Sequence, residues 1–314
     1  MIGSGVRKMS WSGKRVLVTG AKGFIGRYLV DALLNEGAEV TALSTDGAGP
    51  EKEGLRWAGG DITKPVSIEG LCKEVDIVYH LAAISNVDAS IRNPIRTFET
   101  NAMGTANVLE EARKAGVKKF VYVSSAHVYG VPQYLPIDEK HPVVPREAYA
   151  ASKIAAENIV QAYGNSYGIE YAILRPFNIF GPGQDPSFLI PGVIKQALEN
   201  GVIKVGNTEP TRDFLYIEDA VRVMLLAGEK GTGIFNIGSG QQTKILDIVQ
   251  RIRDEIDPAI PIVSDQDRMR AGKIEIPYMY ANVLRIEAIG WHNSISLDDG
   301  LSKTIISTKS ATFK

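Results

Sequence analysis

Residues 15–26 read RVLVTGAKGFIG, and this stretch decides the fold. Its first five residues have the apolar, β-branched character of a buried strand, and Phe24 to Glu36 has the spacing of an amphipathic helix. Between them, Gly20 permits a tight turn, Gly23 lets backbone amides approach a pyrophosphate, and Gly26 allows the helix to pack closely on the strand. A strand, a glycine loop and a helix in this order predict a dinucleotide-binding unit.

The segments that follow alternate between short β-branched runs and longer amphipathic stretches. Glu39 to Leu43, Asp76 to Leu81 and Lys119 to Ser124 predict further strands, with helical stretches between them. This alternation is typical of βαβ units. We therefore predict an α/β fold, a Rossmann-type doubly wound parallel sheet with a smaller C-terminal α/β substrate domain.

The second domain is expected after Pro176, where prolines and glycines interrupt this alternation. The run from Ile234 to Ile237, bounded by Gly233 and Gly238, has the pattern of a strand that returns to the first sheet. We therefore assign residues 12–175 plus about 213–238 to the dinucleotide-binding domain. The substrate domain takes about 176–212 and 239–314.

Composition narrows the function classes. The 314 residues are 44% hydrophobic and 23% charged, as in an ordinary globular enzyme, and 35 Lys and Arg balance 36 Asp and Glu. This balance lacks the positive field that nucleic-acid or anionic-membrane binding usually requires, so we expect neither partner. One cysteine, Cys72, beside four histidines predicts no metal site, and with no signal-peptide pattern it favours a cytoplasmic protein.

The end of the second strand is expected to select the cofactor. An acidic residue usually stands there, binding the adenosine ribose and repelling a 2′-phosphate, but this chain has Ser44. Asp46 could still reach the ribose, whereas Ser44 with nearby Lys22 and Arg27 would tolerate a phosphate. NAD and NADP both stay open, and this feature alone slightly favours NADP.

The ends of the third and fourth strands offer further contacts. Asp61 could accept the adenine amino group while Ile62 packs on the ring. Small Ala82 and Ala83, in HLAA, would let the cofactor lie against the backbone. His80 in the same motif is expected to be a core histidine whose hydrogen bonds are satisfied.

Tyr149 and Lys153 are the candidate catalytic residues. They are four apart in a segment with helical character, so their side chains share one face. A neighbouring ammonium and an oxidised nicotinamide would both favour the phenolate and move its pKa from about 10 towards neutrality. Ser125, at the end of the fifth strand, would hydrogen-bond the reacting oxygen.

From Lys14 to Leu301 the chain resembles the extended short-chain dehydrogenase/reductases, specifically the NAD-dependent epimerase/dehydratase family. The matching elements are TGAKGFIG, HLAA, Asn101, SSAHVYG, Tyr149 with Lys153, RPFNIFGP and RDFLYIED. The resemblance implies that Ser125, Tyr149 and Lys153 are catalytic, with Lys153 also holding the nicotinamide ribose. Taken together, the residues expected to bind the cofactor are Gly20, Gly23, Phe24, Ile25, Gly26, Ser44, Asp61, Ile62, Leu81, Ala82, Ala83, Asn101, Tyr149 and Lys153.

The same resemblance points to the nucleotide-sugar branch of the family. In that branch, the residues matching Asn178 and Arg212 contact the substrate diphosphate, which suits an amide and a forked guanidinium. Arg270 stands where similar enzymes have another phosphate-binding arginine, although Ala271 replaces the usual proline. The expected substrate ligands are therefore Ser125, Asn178, Arg212 and Arg270.

The reaction is expected to be 4-epimerisation of a sugar of the UDP-glucose and UDP-galactose type, with bound NAD. The motif SSAHVYG resembles the 4-epimerases, and Ala126 and His127 stand where the 4,6-dehydratases carry acidic residues. His127 is read as a tolerated variant, although it could tune substrate fit. The alternatives are an NADPH-dependent 4-keto-6-deoxy-sugar reductase of the GDP-sugar type and, as a minor one, a non-catalytic NADP-binding sensor or scaffold.

Self-association is the remaining expectation. Similar enzymes pair two helices across a two-fold axis, and Phe98 to Lys114 and Glu147 to Tyr163 match those helices. The resemblance therefore implies a homodimer.

Overall fold

The computed structural model describes residues 11–266 and 276–312. Its strands are β1 (Arg15–Thr19), β2 (Glu39–Ser44), β3 (Leu55–Gly59), β4 (Ile77–His80), β5 (Lys119–Val123), β6 (Glu170–Pro176), β7 (Asn178–Phe180), β8 (Ile203–Val205), β9 (Thr211–Arg212), β10 (Phe214–Tyr216), β11 (Gly233–Ile237), β12 (Thr243–Lys244), β13 (Ile262–Ser264) and β14 (Tyr278–Met279).

Helices connect most of these strands. They are α1 (Phe24–Asn35), α2 (Val87–Arg92), α3 (Pro94–Phe98), α4 (Gly104–Ala115), α5 (Ala148–Tyr167), α6 (Leu189–Glu199), α7 (Ile217–Lys230), α8 (Ile245–Ile256), α9 (Leu284–Glu287) and α10 (Leu297–Thr312). A π-helical turn, Glu99–Met103, joins α3 to α4.

Seven parallel strands form the central sheet, in the order β11-β6-β5-β4-β1-β2-β3. The chain runs outwards from β1 to β3 and then returns to the other side of β1 with β4. Ligands of open α/β sheets bind at such a reversal, beyond the carboxyl ends of the strands. The predicted doubly wound sheet is confirmed, and the strand predicted near residue 234 is its outer member, β11.

Helices cover both faces of this sheet, which is why its strands are almost continuously apolar. On one face, α4 and α5 pack through Val108, Leu109 and Val160. On the other face, α1 and α7 pack through residues such as Leu29 and Met224. Each leucine fully buried in this way stabilises the fold by about 1.5–3 kcal/mol relative to an exposed one.

Residues beyond β6 form smaller sheets beside the carboxyl edge of the large one. Strand β7 pairs with β10, β8 pairs with β13, and β9 lies between β12 and β14. Helices α6 and α8 pack against this group through Ile194 and Ile248. The small sheets thereby form a second wall facing the reversal point.

Two features are absent from residues 11–266 and 276–312. None of their helices combines the length and the apolar character needed to cross a membrane. No three or more of their His, Cys, Asp and Glu side chains are grouped so that they could hold a metal ion.

Candidate active site

A cleft of about 990 Å³ lies at the carboxyl edge of the sheet, between the glycine loop and the second wall. It brings together most of the predicted site residues. Those that line it are Gly20, Gly23, Phe24, Ile25, Gly26, Leu81, Ala82, Ala83, Ser125, Tyr149, Lys153, Asn178 and Arg212.

The glycine loop fits a pyrophosphate. Gly20 has a φ of 69°, and a Cβ on it would stand 2.7 Å from the backbone nitrogen of Ala82. A Cβ on Gly26 would collide with the Gly20 carbonyl oxygen. At these glycines no side chain covers the backbone of the loop. Helix α1 begins at Phe24, so its free N-terminal amides lie at the end of this loop.

A chain of hydrogen bonds ties this loop to the end of β4. The Thr19 hydroxyl oxygen accepts from the amides of Leu81 and Ala82 and lies 2.7 Å from His80 Nδ1. Thr105 donates its own proton to a carbonyl, so it accepts from His80 Nε2 at 3.0 Å. Burial, with Lys153 nearby, lowers the pKa of His80 to about 3, so the ring is the satisfied, neutral core histidine that we predict from the sequence.

Asn101 lies behind the cleft wall and is 1% exposed. Its amide nitrogen donates to Ile84 O and Ser152 Oγ, at 3.0 and 2.9 Å, and its oxygen accepts from Ile84 N at 2.8 Å. The side chain thus joins the loop after β4 to helix α5. Asn101 therefore supports helix α5, and its predicted contact with the cofactor stays a prediction.

The end of β2 carries a closed polar cluster. Ser44 Oγ donates to Asp46 at 2.8 Å, and Lys22 Nζ donates to the same carboxylate at 2.6 Å. The hydrogen bonds from Lys22 and Ser44 lower the pKa of Asp46 to about 2, so the carboxylate is ionised at any physiological pH. Ser44 therefore holds the Asp46 carboxylate by a hydrogen bond. The acidic group at the end of β2 lies two residues after Ser44, which occupies the position where an acidic residue usually stands.

Asp61 and Ile62 lie at the next strand end, beyond the cleft lining. The Asp61 carboxylate accepts from the amide and hydroxyl of Thr63 at 3.0 and 2.7 Å. Ile62 is 6% exposed and packs where a side chain on Gly104 would otherwise stand. Both side chains thus have structural partners, and their predicted contacts with adenine stay predictions.

Ser125, Tyr149 and Lys153 meet at the floor of the cleft, and all three are buried. The Ser125 side chain lies beside the Tyr149 hydroxyl and lowers its pKa, and Ser125 Oγ accepts from the amide of His127 at 3.2 Å. Lys153 Nζ donates to Val123 O at 2.7 Å and lies 6.0 Å from the centre of the Tyr149 ring. The phenol, the hydroxyl and the amine therefore converge, as their spacing predicts.

Burial dominates the ionisation of this group. It raises the pKa of Tyr149 to about 12, and Glu147 acts in the same direction, while the hydrogen bond with Ser125 lowers it in part. It lowers the pKa of Lys153 to about 7, against the opposite effect of Glu157. Protein groups alone thus do not bring the phenol towards neutrality. A positive charge such as oxidised nicotinamide has to supply that shift.

A buried ion pair holds the catalytic helix against the sheet. Arg175 on β6 donates twice to Glu157, one turn beyond Lys153 on α5, at 2.9 and 2.6 Å. Ser124 donates to the same carboxylate at 2.5 Å. The charge behind Lys153 is thereby fixed in place, and losing one partner of such a pair costs about 3–5 kcal/mol.

Glu147 is a site residue that the sequence analysis missed. It caps α5 by accepting from Ala150 N at 3.0 Å, and its other carboxylate oxygen lies 3.5 Å from His127 Nδ1. Both residues line the cleft beside Tyr149. Positions 126 and 127 are themselves not acidic, but helix α5 places a carboxyl group beside His127. The signal was an acidic residue at the start of the helix, two positions before the catalytic tyrosine.

The far end of the cleft holds the predicted diphosphate ligands. Asn178 Nδ2 donates to Asp213 O at 3.0 Å, and an Arg212 guanidinium nitrogen donates to Thr211 O at 2.8 Å. Asp213 accepts from backbone amides at residues 239, 240 and 281, so its carboxylate holds loops together. Arg270 lies outside the described residues.

Known proteins share this arrangement. The NAD dependent epimerase/dehydratase family matches residues 16–238. The chain belongs to this family. It is 32% identical over 314 residues to a UDP-glucose 4-epimerase of Mycolicibacterium smegmatis, covering 93% of this chain and 97% of that one.

Relatives of this family differ in the reaction that they carry out. A GDP-6-deoxy-D-mannose reductase of Pseudomonas aeruginosa is also 32% identical, over 302 residues that cover 92% of this chain and 95% of that one. Among solved structures, a Thermotoga maritima UDP-glucose 4-epimerase with UDP-glucose aligns with a TM-score of 0.89 at 28% identity, covering 95% and 99% of the two chains.

Membership of this epimerase/dehydratase family confirms several expectations. The predicted family and Rossmann-type fold are confirmed. The chain is an enzyme, and NAD(P) is its cofactor, which agrees with the bare glycine loop at the start of α1.

The lowered pKa of Lys153 predicts a pH-dependent stability. Its folded value of about 7 lies below the ordinary 10.5, so folding disfavours the ammonium. The loss of folding stability from burying the ammonium is present in full below pH 7, and it becomes smaller as the pH rises towards 10. In urea unfolding of cofactor-free protein, Lys153→Met should be more stable than the parent at pH 6, and its advantage should shrink by pH 9.

Lys64→Met serves as the matched control, because it makes the same change at an exposed lysine. If the stability difference between Lys153→Met and the parent stays constant from pH 6 to 9, the assignment of a buried amine with a lowered pKa is contradicted.

Proposed function

We propose that this enzyme is a nucleotide-diphosphate-sugar 4-epimerase of the UDP-glucose and UDP-galactose type, working with bound NAD. The observation that carries the proposal is the convergence of the buried Ser125, Tyr149 and Lys153 on the floor of a cleft that begins at the glycine loop. The cleft ends at Asn178 and Arg212, which suit a diphosphate. The 4-epimerases among its relatives support the reaction type.

In the proposed reaction, Ser125 holds the oxygen on sugar C4 while Tyr149 removes the proton from that hydroxyl. A dinucleotide held by the glycine loop would supply the acceptor for the C4 hydride and return the hydride later, so no cofactor would be consumed. The C4 ketone turns over between the two hydride transfers, and Tyr149 then gives its proton to the C4 oxygen as this becomes an alcohol of opposite configuration. Lys153, fixed between Val123 O and the phenol ring, stabilises the phenolate form that Tyr149 must have before it takes the proton.

Asp46 favours NAD over NADP in this proposal. Its carboxylate stands at the end of β2 and is held ionised by Lys22 and Ser44. A 2′-phosphate at that place would meet a like charge, whereas two ribose hydroxyls would meet an acceptor. The slight preference for NADP that Ser44 alone suggests is thereby reversed.

A 4-keto-sugar reductase is the second candidate. It would use the same Ser125 and Tyr149, with Tyr149 as the acid and hydride taken from exchangeable NADPH. The Pseudomonas aeruginosa relative supports it. So does the motif Val205-Gly206-Asn207, which lines the cleft and resembles GDP-sugar reductases.

Tyr149→Phe tests the catalytic proposal. The variant should lose about 100-fold or more in the interconversion of UDP-galactose and UDP-glucose, because the base is gone, while NAD binding measured by fluorescence is retained. Tyr134→Phe, an exposed tyrosine outside the cleft, is the control and should keep full activity. Turnover that survives Tyr149→Phe would exclude this tyrosine as the base.

Asp46→Asn tests the cofactor choice. Removing the carboxylate should shift the ratio of NAD to NADP affinity towards NADP by about 10- to 100-fold, because the like charge disappears and Lys22 becomes available to a phosphate. Calorimetry with both dinucleotides measures the ratio. Asp31→Asn is a matched control, since Asp31 also pairs with a lysine on the surface. An unchanged ratio for Asp46→Asn would show that another group selects the cofactor.

We also propose a homodimer through helices α4 and α5, on the face to which α2, α3 and the π-helical turn also contribute. Three apolar side chains there are strongly exposed, namely Ile91, Ile95 and Met103 at 46, 70 and 57%. Sedimentation should give twice the chain mass of 34.1 kDa, and Met103→Asp should shift the protein to single chains. Ile306→Asp, at a similarly exposed site on α10, should leave the dimer intact. A parent protein that sediments as single chains would contradict the proposal.

A further inference from the structure

His127 and Glu147 form a polar pair in the cleft wall beside the catalytic phenol. The His127 ring lies edge-on to the Tyr149 ring at 5.9 Å between centres, and 31% of its side chain is exposed to the cleft. Glu147 Oε1 lies 3.5 Å from His127 Nδ1. The pair therefore stands next to the place where the reacting sugar carbon has to be.

The two carboxylate oxygens of Glu147 have different surroundings. Oε2 accepts from Ala150 N and so caps helix α5. Oε1 is buried and has no hydrogen-bond partner among the residues that the structure describes, although the side chain is only 5% exposed. A buried carboxylate oxygen left without a partner destabilises the folded protein, so its retention calls for an explanation.

Helix capping alone does not explain Glu147. The residues preferred at this position are Ser, Thr, Asp and Asn, whose short side chains reach the free amides directly. The longer glutamate caps the helix with one oxygen and places the second beside His127, in the wall of the cleft. This second oxygen is the part that a shorter cap would lack.

We propose that Glu147 and His127 together bind one sugar hydroxyl close to C4, the one on C3 or the one on C6, and so select neutral hexoses that carry it. The hydroxyl donates to Glu147 Oε1 and accepts from an N–H on His127 Nδ1. An oxygen about 2.8 Å from each atom completes a triangle on their 3.5 Å separation. This proposal rests on the 4-epimerase function, because that function places C4 at Tyr149.

The charge of the pair determines which substituent it accepts. With a neutral imidazole the pair carries one negative charge, so a carboxylate at the same position of the sugar would be repelled by Glu147. A hydrogen atom at that position would leave Glu147 Oε1 without a partner. A hydroxyl is the substituent that satisfies both partners at once.

The test combines variants of the pair with substrates that lack single hydroxyls. Glu147→Gln keeps an oxygen for the helix cap but turns the other position into a donor, and His127→Phe keeps the ring while removing the N–H. Each is assayed with UDP-galactose and with its 3-deoxy and 6-deoxy analogues. Glu218→Gln, the same change in the first turn of α7 outside the cleft, is the control.

With UDP-galactose, kcat/KM should fall about 10- to 100-fold in each variant and stay unchanged in the control. The parent enzyme should lose a similar factor on one of the two analogues. On that analogue the variants should lose less than about threefold more, because the contact is already absent. If Glu147→Gln fails to fold, His127→Phe carries the test, since it leaves the cap of α5 intact.

Equal losses on all three substrates would overturn the proposal, since a pair that acts only on structure does not distinguish them. Formation of a 4-keto-6-deoxy product from UDP-glucose, lost in His127→Phe, would also overturn it and assign the pair to elimination of water. Calorimetry measures the binding of the three nucleotide sugars directly. This part of the test therefore does not depend on which reaction the enzyme carries out. The same selective pattern in binding, without epimerisation, would support the hydroxyl contact and count against the proposed function alone.

Discussion

The site depends on one close backbone contact, between Gly20 at the end of β1 and the Leu81–Ala82 peptide after β4. No side chain fits between them, so the two strand ends present bare backbone at the point where the sheet reverses direction. The Thr19 hydroxyl stabilises this contact by accepting from the Leu81 amide, and Thr19 is itself hydrogen-bonded to His80. Asn101 links the loop after β4 to helix α5 by donating to Ser152. The catalytic residues are therefore held in register with the glycine loop by hydrogen bonds that the cofactor does not have to supply.

Burial around the proposed catalytic residues disfavours the charged form of each, so the chemistry depends on further charges nearby. It disfavours both a phenolate on Tyr149 and an ammonium on Lys153, moving their pKa values to about 12 and about 7. Each charge would stabilise the other, and an oxidised nicotinamide favours the phenolate further. A tyrosine base thus becomes available when the cofactor is in the state that can accept hydride. Glu157, anchored by Arg175, keeps a compensating negative charge behind the lysine.

Local sequence signals predicted much of this and missed what depends on long-range placement. The glycine spacing, the strand pattern and the separation of Tyr149 from Lys153 are properties of short segments, and the structure agrees with them. Asn101 could not be placed behind the wall from sequence, because its partners Ile84 and Ser152 lie 17 and 51 residues away. Glu147 was missed for a similar reason. Its neighbour His127 is 20 positions upstream, and only the fold brings the start of α5 beside the loop after β5.

The central claim is a redox cycle that begins and ends with the same bound NAD. The most direct measurement is mass spectrometry of the dinucleotide released when the freshly purified, full-length protein is denatured. The account predicts about one NAD per chain, held through purification without added cofactor. An empty site, or NADP that washes away, would contradict the self-contained cycle and favour a reductase that exchanges its cofactor at every turnover.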